Sequence, residues 1–81
     1  MTSDDAKRII LDVLSEIAPE VDPATVDHSV DLTEQLDLDS MDYLNWMLGI
    51  HEATGIDIPQ RDVSLFLTIE GAAAFLTAHA A

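Results

Sequence analysis

The chain contains no cysteine, so it has no disulfide framework, no thiolate nucleophile and no thiolate metal ligand. Basic residues are almost as scarce: Lys7, Arg8 and Arg61 face sixteen acids, for a formal net charge of −13. Such a surface repels phosphate backbones and anionic lipid surfaces, which argues against nucleic acid or acidic membranes as partners. No run of about eighteen apolar residues occurs, so no membrane span is expected. The stretch Met1-Thr-Ser-Asp-Asp-Ala-Lys-Arg8 lacks the basic start and apolar stretch of a secretory signal, and a cytoplasmic protein is the expectation.

What is present is enough for one core. At 81 residues the chain has material for a single domain, and it buries only about 60% of its unfolded surface. With 48% hydrophobic residues it is too apolar to stay disordered. The excess of acids suits protein partners with basic patches, drawn in by long-range attraction, and equally suits a small domain that needs solubility.

Periodicity then divides the chain. Ala6, Ile9, Ile10, Val13, Leu14 and Ile17 recur at helical spacing, which predicts a first helix from about Ser3 to Ile17, capped by Thr2 or Ser3 and stopped by Pro19. From Pro19 to Asp39 the period disappears, predicting a long loop with a helical turn near Pro23 to Val26 and anchors at Leu32, Leu36 and Leu38. Loops this long in small domains are often functional. A second helix is predicted from Ser40 to about Thr54, with Gly55 as its stop. Its residues Tyr43, Trp46, Met47, Ile50 and Thr54 form one stripe facing the core. Met41, Leu44 and Leu48 form another, flanked by Asp42, Asn45 and Glu52. An apolar stripe rimmed by acids fits a docking surface for another protein, while a central helix buried on both sides explains it equally well. Pro59 opens a short helix over about Gln60 to Leu65, and Thr68 caps a last one from Ile69 to about His79. Ile69, Ala72, Ala73 and Leu76 line its inner face with Phe75 beside them, and Gly71-Ala-Ala-Ala74 allows close approach to neighbours. The expected fold is therefore all-α, a four-helix bundle of three main helices and one short one with a long first loop.

Ser40 stands where that loop meets the second helix. A serine there is most often only an N-cap. Here, however, the hydroxyl would be exposed between the carboxylates of Asp39 and Asp42 and beside the second apolar stripe. A phosphoryl group on Ser40 would meet the helix N-terminus, which favours anions. The neighbouring carboxylates oppose that, but are placed to help a modifying enzyme hold a metal ion.

The segment Asp39-Ser40-Met41-Asp42 resembles the Asp-Ser-Leu attachment motif of acyl carrier proteins. Leu32-Thr-Glu-Gln-Leu36 resembles that family's lead into the motif. Ile58-Pro59 and Thr68-Ile-Glu-Gly-Ala-Ala73 are similar to its closing half, so the resemblance covers essentially the whole chain. It implies an acyl-carrier-like bundle in which a phosphopantetheinyl transferase moves 4′-phosphopantetheine from coenzyme A onto Ser40. The arm's thiol then carries acyl groups as thioesters, which explains how a chain without cysteine handles them. The protein would be no enzyme but a monomeric carrier serving fatty-acid, lipid or secondary-metabolite synthesis.

Its partners would be acyl-transfer, condensing or acyl-activating enzymes. Met41, Leu44 and Leu48 would enter their grooves, with Asp39, Asp42, Asn45 and Glu52 facing basic residues around them. Ile50, Ile58, Val63, Phe66 and Ala72 would line a pocket for the acyl chain, or simply pack as core. Four departures point to a specialised carrier. Asp37 replaces a glycine, Asn45 and His51 stand where acids are usual, and Trp46 takes up space between the helices. Two other readings compete: a carrier for aminoacyl or other non-fatty acids, and an acidic helical interaction domain without cofactor. A calcium loop fails because Met41 takes a ligand position and Leu48 replaces the bidentate acid. A Ser40 hydrolase lacks any motif that pairs it with His28, His51 or His79.

Overall fold

The computed structural model describes residues 1–80, which form helices and turns and include no strand. Helix α1 (Ser3–Ile17) begins with a capping box: Thr2 Oγ1 accepts from Asp5 N–H (3.1 Å) and the Asp5 carboxylate accepts from Thr2 N–H (3.4 Å). The Thr2 hydroxyl bond also holds the Asp5 carboxyl below its usual range. Ala6, Ile10, Val13 and Leu14 are buried, while Ile9 and Ile17 lie half-buried at the edges of the same stripe.

The segment from Pro19 to Asp39 is more ordered than its lost periodicity suggests. A 3-10 turn at Pro23–Thr25 is capped by Asp22, whose side chain accepts from Ala24 N–H (3.0 Å). A single-turn helix, α2 (Leu32–Gln35), follows, capped by Asp31 through Thr33 N–H (2.8 Å). Four residues are too few for a period to register, so this helix was not expected. The Thr33 hydroxyl keeps the Asp31 carboxyl low, and the Ser29 amide does the same for Asp27. Gln35 staples the segment: its side-chain oxygen accepts from Asp27 N–H (2.9 Å) and its nitrogen donates to the carbonyls of Asp27 (2.7 Å) and Val30 (3.0 Å). Leu32 is fully buried, with Leu36 and Leu38 packed against the core beside it.

Helix α3 (Ser40–Thr54) ends at Gly55, whose left-handed φ of 70° and N–H bond to the His51 carbonyl (2.7 Å) close the last turn. Trp46, Met47 and Ile50 are buried, and Tyr43 is half-buried beside them. Gly49 sets how near α1 can come. A Cβ there would lie 2.6 Å from Val13 Cγ1, inside any real contact. The short helix expected after Pro59, over about Gln60 to Leu65, is a 3-10 segment, Gln60–Leu67, tighter than an α-helix and two residues longer than expected. Helix α4 (Ile69–His79) is capped by Thr68, whose hydroxyl accepts from Gly71 N–H (2.9 Å). Gly71 packs directly on the Leu65 carbonyl, where a side chain would collide. The Glu70 N–H donates to the His28 carbonyl (2.9 Å), fastening the long segment to the start of α4.

The result is a small all-α bundle in which α1 lies against both α3 and α4, and the 3-10 segment lies against α4. Its Cα radius of gyration is 11.4 Å, which matches the roughly 12 Å expected of a compact chain this long. Aromatic rings run through its centre: Tyr43 to Trp46 (5.6 Å), Trp46 to Phe66 (6.0 Å) and Phe66 to Phe75 (5.4 Å). The Trp46 indole N–H donates to the Ile10 carbonyl (3.1 Å), so the polar atom that this ring carries into the centre is satisfied. No described helix is long and apolar enough to cross a membrane.

Candidate functional site

Ser40 is the first residue of α3, but it does not cap it. The N-cap is Asp39, whose Oδ1 accepts from Asp42 N–H (2.8 Å), while Asp42 Oδ2 accepts from Asp39 N–H (3.5 Å). This capping box does the work that a serine at a helix start usually does. Ser40 is exposed, and among the described residues its hydroxyl makes no hydrogen bond. The sequence offers both Asp39 and Ser40 as capping types, and in the structure the reciprocal bonds with Asp42 fall to Asp39. Each carboxylate of the box keeps one oxygen, Asp39 Oδ2 and Asp42 Oδ1, outside it.

The stripe beside Ser40 is open. Met41, Leu44 and Leu48 are 63%, 57% and 53% exposed, so α3 is buried on one side and not on both. Asn45 and Glu52 are exposed along the same helix, and Asp42 is half-exposed. Leu65, on the 3-10 segment, adds another exposed apolar side chain. This set is unusual for a small domain, because large apolar residues on one exposed helix face have no packing reason to be there.

The stripe runs into a cleft of about 680 Å³ between α3 and the segment that follows it. Leu44, Met47 and Leu48 form one wall, and Ile58, Pro59 and Val63 the other, with His51, Asp57 and Gln60 supplying its polar edge. His51 Nδ1 donates to the Ile56 carbonyl (2.9 Å) and lies 3.5 Å from Asp57 Oδ1. Of the five residues assigned to an acyl pocket, Ile58 and Val63 line this cleft. Ile50, Phe66 and Ala72 do not: each is 0% exposed, enclosed in the core instead of facing a hollow. The Leu44, Met47, Leu48, His51 spacing of i, i+3, i+4, i+7 was the available signal for the cleft wall. The opposite wall, Ile58 to Val63, has no period and was legible only in part.

Along the helix axis, at about 1.5 Å per residue, the cleft begins roughly one turn beyond Ser40. Tyr43 borders the core side, donating to the Val63 carbonyl (3.3 Å). Burial, aided by the negative charge of Asp31, pushes its phenol up to about 12. Comparison with protein-family models finds no match to this chain, and comparison with curated proteins finds none.

Proposed function

We propose that this chain is an acyl carrier protein, modified on Ser40 with 4′-phosphopantetheine and delivering acyl groups to enzymes of fatty-acid, lipid or secondary-metabolite synthesis. The observation that carries it is the division of labour at the head of α3. Asp39 caps the helix and leaves the Ser40 hydroxyl exposed, unbonded and next to an exposed apolar stripe. The likeness of Asp39-Ser40-Met41-Asp42 and its flanks to the carrier family supplies the chemical identity of the modification.

The residues present fit such a group. Ser40 Oγ is the attachment oxygen, forming a phosphodiester as 3′,5′-adenosine diphosphate leaves coenzyme A and the hydroxyl proton passes to the transferase. The first-turn amides of α3 outside the capping box, and the helix dipole, would favour a phosphate on Ser40. Asp39 Oδ2 and Asp42 Oδ1 remain available to a metal ion on the transferase. The arm supplies a thiol on which acyl groups travel as thioesters. Tethering the cargo makes each transfer an encounter at high effective concentration. Met41, Leu44 and Leu48 enter a groove on the partner, and Asp39, Asp42 and Glu52 meet its basic rim. Binding is weak and salt-sensitive, as a carrier that visits several enzymes requires.

The test is an intact mass after incubation with coenzyme A, Mg²⁺ and a broad-specificity phosphopantetheinyl transferase, with Ser40→Ala alongside. A gain of one phosphopantetheine, absent from the variant, is expected. No gain with several transferases refutes the carrier and leaves an acidic helical interaction domain that uses the same stripe.

A further inference from the structure

We infer that Trp46 fixes the cargo class of this carrier: the core is closed to alkyl chains, and the protein carries short or polar acyl groups, aminoacyl groups included, held outside it. The inference rests on the carrier function proposed above. Three observations converge on it.

The first is the plug. Trp46 projects from α3 into the middle of the bundle, is 0% exposed, and lies between the rings of Tyr43 and Phe66. Its N–H bond to the Ile10 carbonyl ties it to α1. An acyl chain entering between the helices has to displace the indole, and displacement strands a buried donor. Secondly, the helices stand too close: at Gly49 the α3 backbone approaches Val13 of α1 nearer than even a methyl group allows. The third is a latch. The Tyr43 hydroxyl bonds the Val63 carbonyl and joins α3 to the 3-10 segment on the side of the core nearest the cleft.

What remains is the outer cleft, walled by Leu44, Met47, Leu48, Ile58 and Val63. It is open to water, so a group lying there is touched but not enclosed. A long alkyl chain lying there is covered on one side only and leaves its outer side wet. A short or polar acyl group loses nothing. Trp46 is thus a specificity-determining residue that acts by exclusion.

The experiment loads the arm from acetyl- and dodecanoyl-coenzyme A and follows thioester cleavage by hydroxylamine, together with the emission of Trp46, the single tryptophan. Burial in a water-excluding site protects a thioester, so the two cargoes should be cleaved at rates within about threefold of each other. Emission should be the same for both loaded forms and for the unmodified chain. In Trp46→Leu the dodecanoyl thioester should become more than about threefold slower to cleave than the acetyl, because the vacated space admits the chain. Should that variant not fold, Trp46→Phe and Tyr43→Phe open the same route less drastically and are read in the same way. Dodecanoyl protection in the wild type, a shift in its tryptophan emission on dodecanoyl loading, or no gain of protection in any folded variant overturns the inference while leaving the carrier intact. Failure to attach the arm at all overturns the carrier proposal, and this inference with it.

Discussion

Replacing Asp39 and Ser40 one at a time separates helix capping from attachment. Asp39→Ala removes the acceptor for the Asp42 amide at 2.8 Å and dissolves the box. Loss of an N-cap costs about 1 kcal/mol, within a range of roughly 0.5–2. For a domain of this size that lowers the melting temperature by about 4–8 °C. Ser40→Ala removes a hydroxyl that bonds nothing and places a better helix former at the first helical position, so stability should change by less than about 0.5 kcal/mol. Charge complicates the first variant, since it also removes one of sixteen acids from a chain at −13. Asp39→Asn resolves this: it keeps an acceptor oxygen while losing the same charge. The expected order of stability is therefore Asn at 39 and Ala at 40 near wild type, with Ala at 39 clearly below. Thermal melts followed by far-UV circular dichroism, in parallel with phosphopantetheine loading, give both readouts. A Ser40→Ala variant destabilised as much as Asp39→Ala would show that Ser40 is the cap in solution, and the central support for the carrier proposal would be lost.

Met41→Ala and Leu44→Ala, at positions 63% and 57% exposed, should leave stability within about 0.5 kcal/mol of wild type. The same variants should lower kcat/KM for transfer from partner enzymes about tenfold; lost helicity would mean instead that the stripe is core. Raising ionic strength from 0.01 to 0.15 M shortens the Debye length from about 30 to about 8 Å, so self-repulsion at −13 should fade and the melting temperature should rise; a flat response counts against this. Tyr43 is a neutral acid whose pKa is pushed from 10.0 to about 12 by burial first and Asp31 second, so its contribution is complete below 10.0 and lost as pH rises through about 12. Melts across that window should fall more steeply for wild type than for Tyr43→Phe, and identical slopes would contradict the assignment. Gly49→Ala gains about 1 kcal/mol of helix propensity. It collides with Val13, whose β-branched side chain cannot rotate aside in a helix, at an overpacking cost of about 1–3 kcal/mol. Net destabilisation that Val13→Ala partly relieves is the expected result of a double-mutant cycle.

The three main helices were legible because each carries several turns of period and an explicit boundary: Thr2 before Ser3, Gly55 after Thr54, and Thr68 before Ile69. What escaped was local and short. Helix α2 spans one turn, and its stability comes from Asp31 and Gln35 side chains bonding backbone groups, which no hydrophobic pattern records. The Gln60–Leu67 segment reads as helical in either form, since 3-10 and α differ by one residue in hydrogen-bond reach and too little in apolar spacing. At the site, Ser40 and the second stripe could be placed from sequence, but the exposure of that stripe could not, since a helix buried on both sides carries the same pattern. Whether Ser40 or Asp39 capped the helix could not, because that depends on which side chain reaches the Asp42 amide. The cleft was half visible: its α3 wall has a period, whereas its far wall is irregular backbone brought near by tertiary packing. Ile50, Phe66 and Ala72 looked like pocket residues because apolar composition does not distinguish a lining from a filling.

The pairing of α1 with α4 also couples the two ends of the described chain. These helices lie at opposite ends of the described chain, yet each covers the other's apolar face. Contacts separated by so much sequence carry the largest loop-closure entropy in the molecule. The α1 stripe is shared between α3 and α4, so Ile10, Val13 and Leu14 are fully covered only once Ala72, Ala73 and Leu76 have docked as well. In the finished molecule, by the same logic, fraying at either end opens both helices together, so their amides should exchange with solvent as one unit.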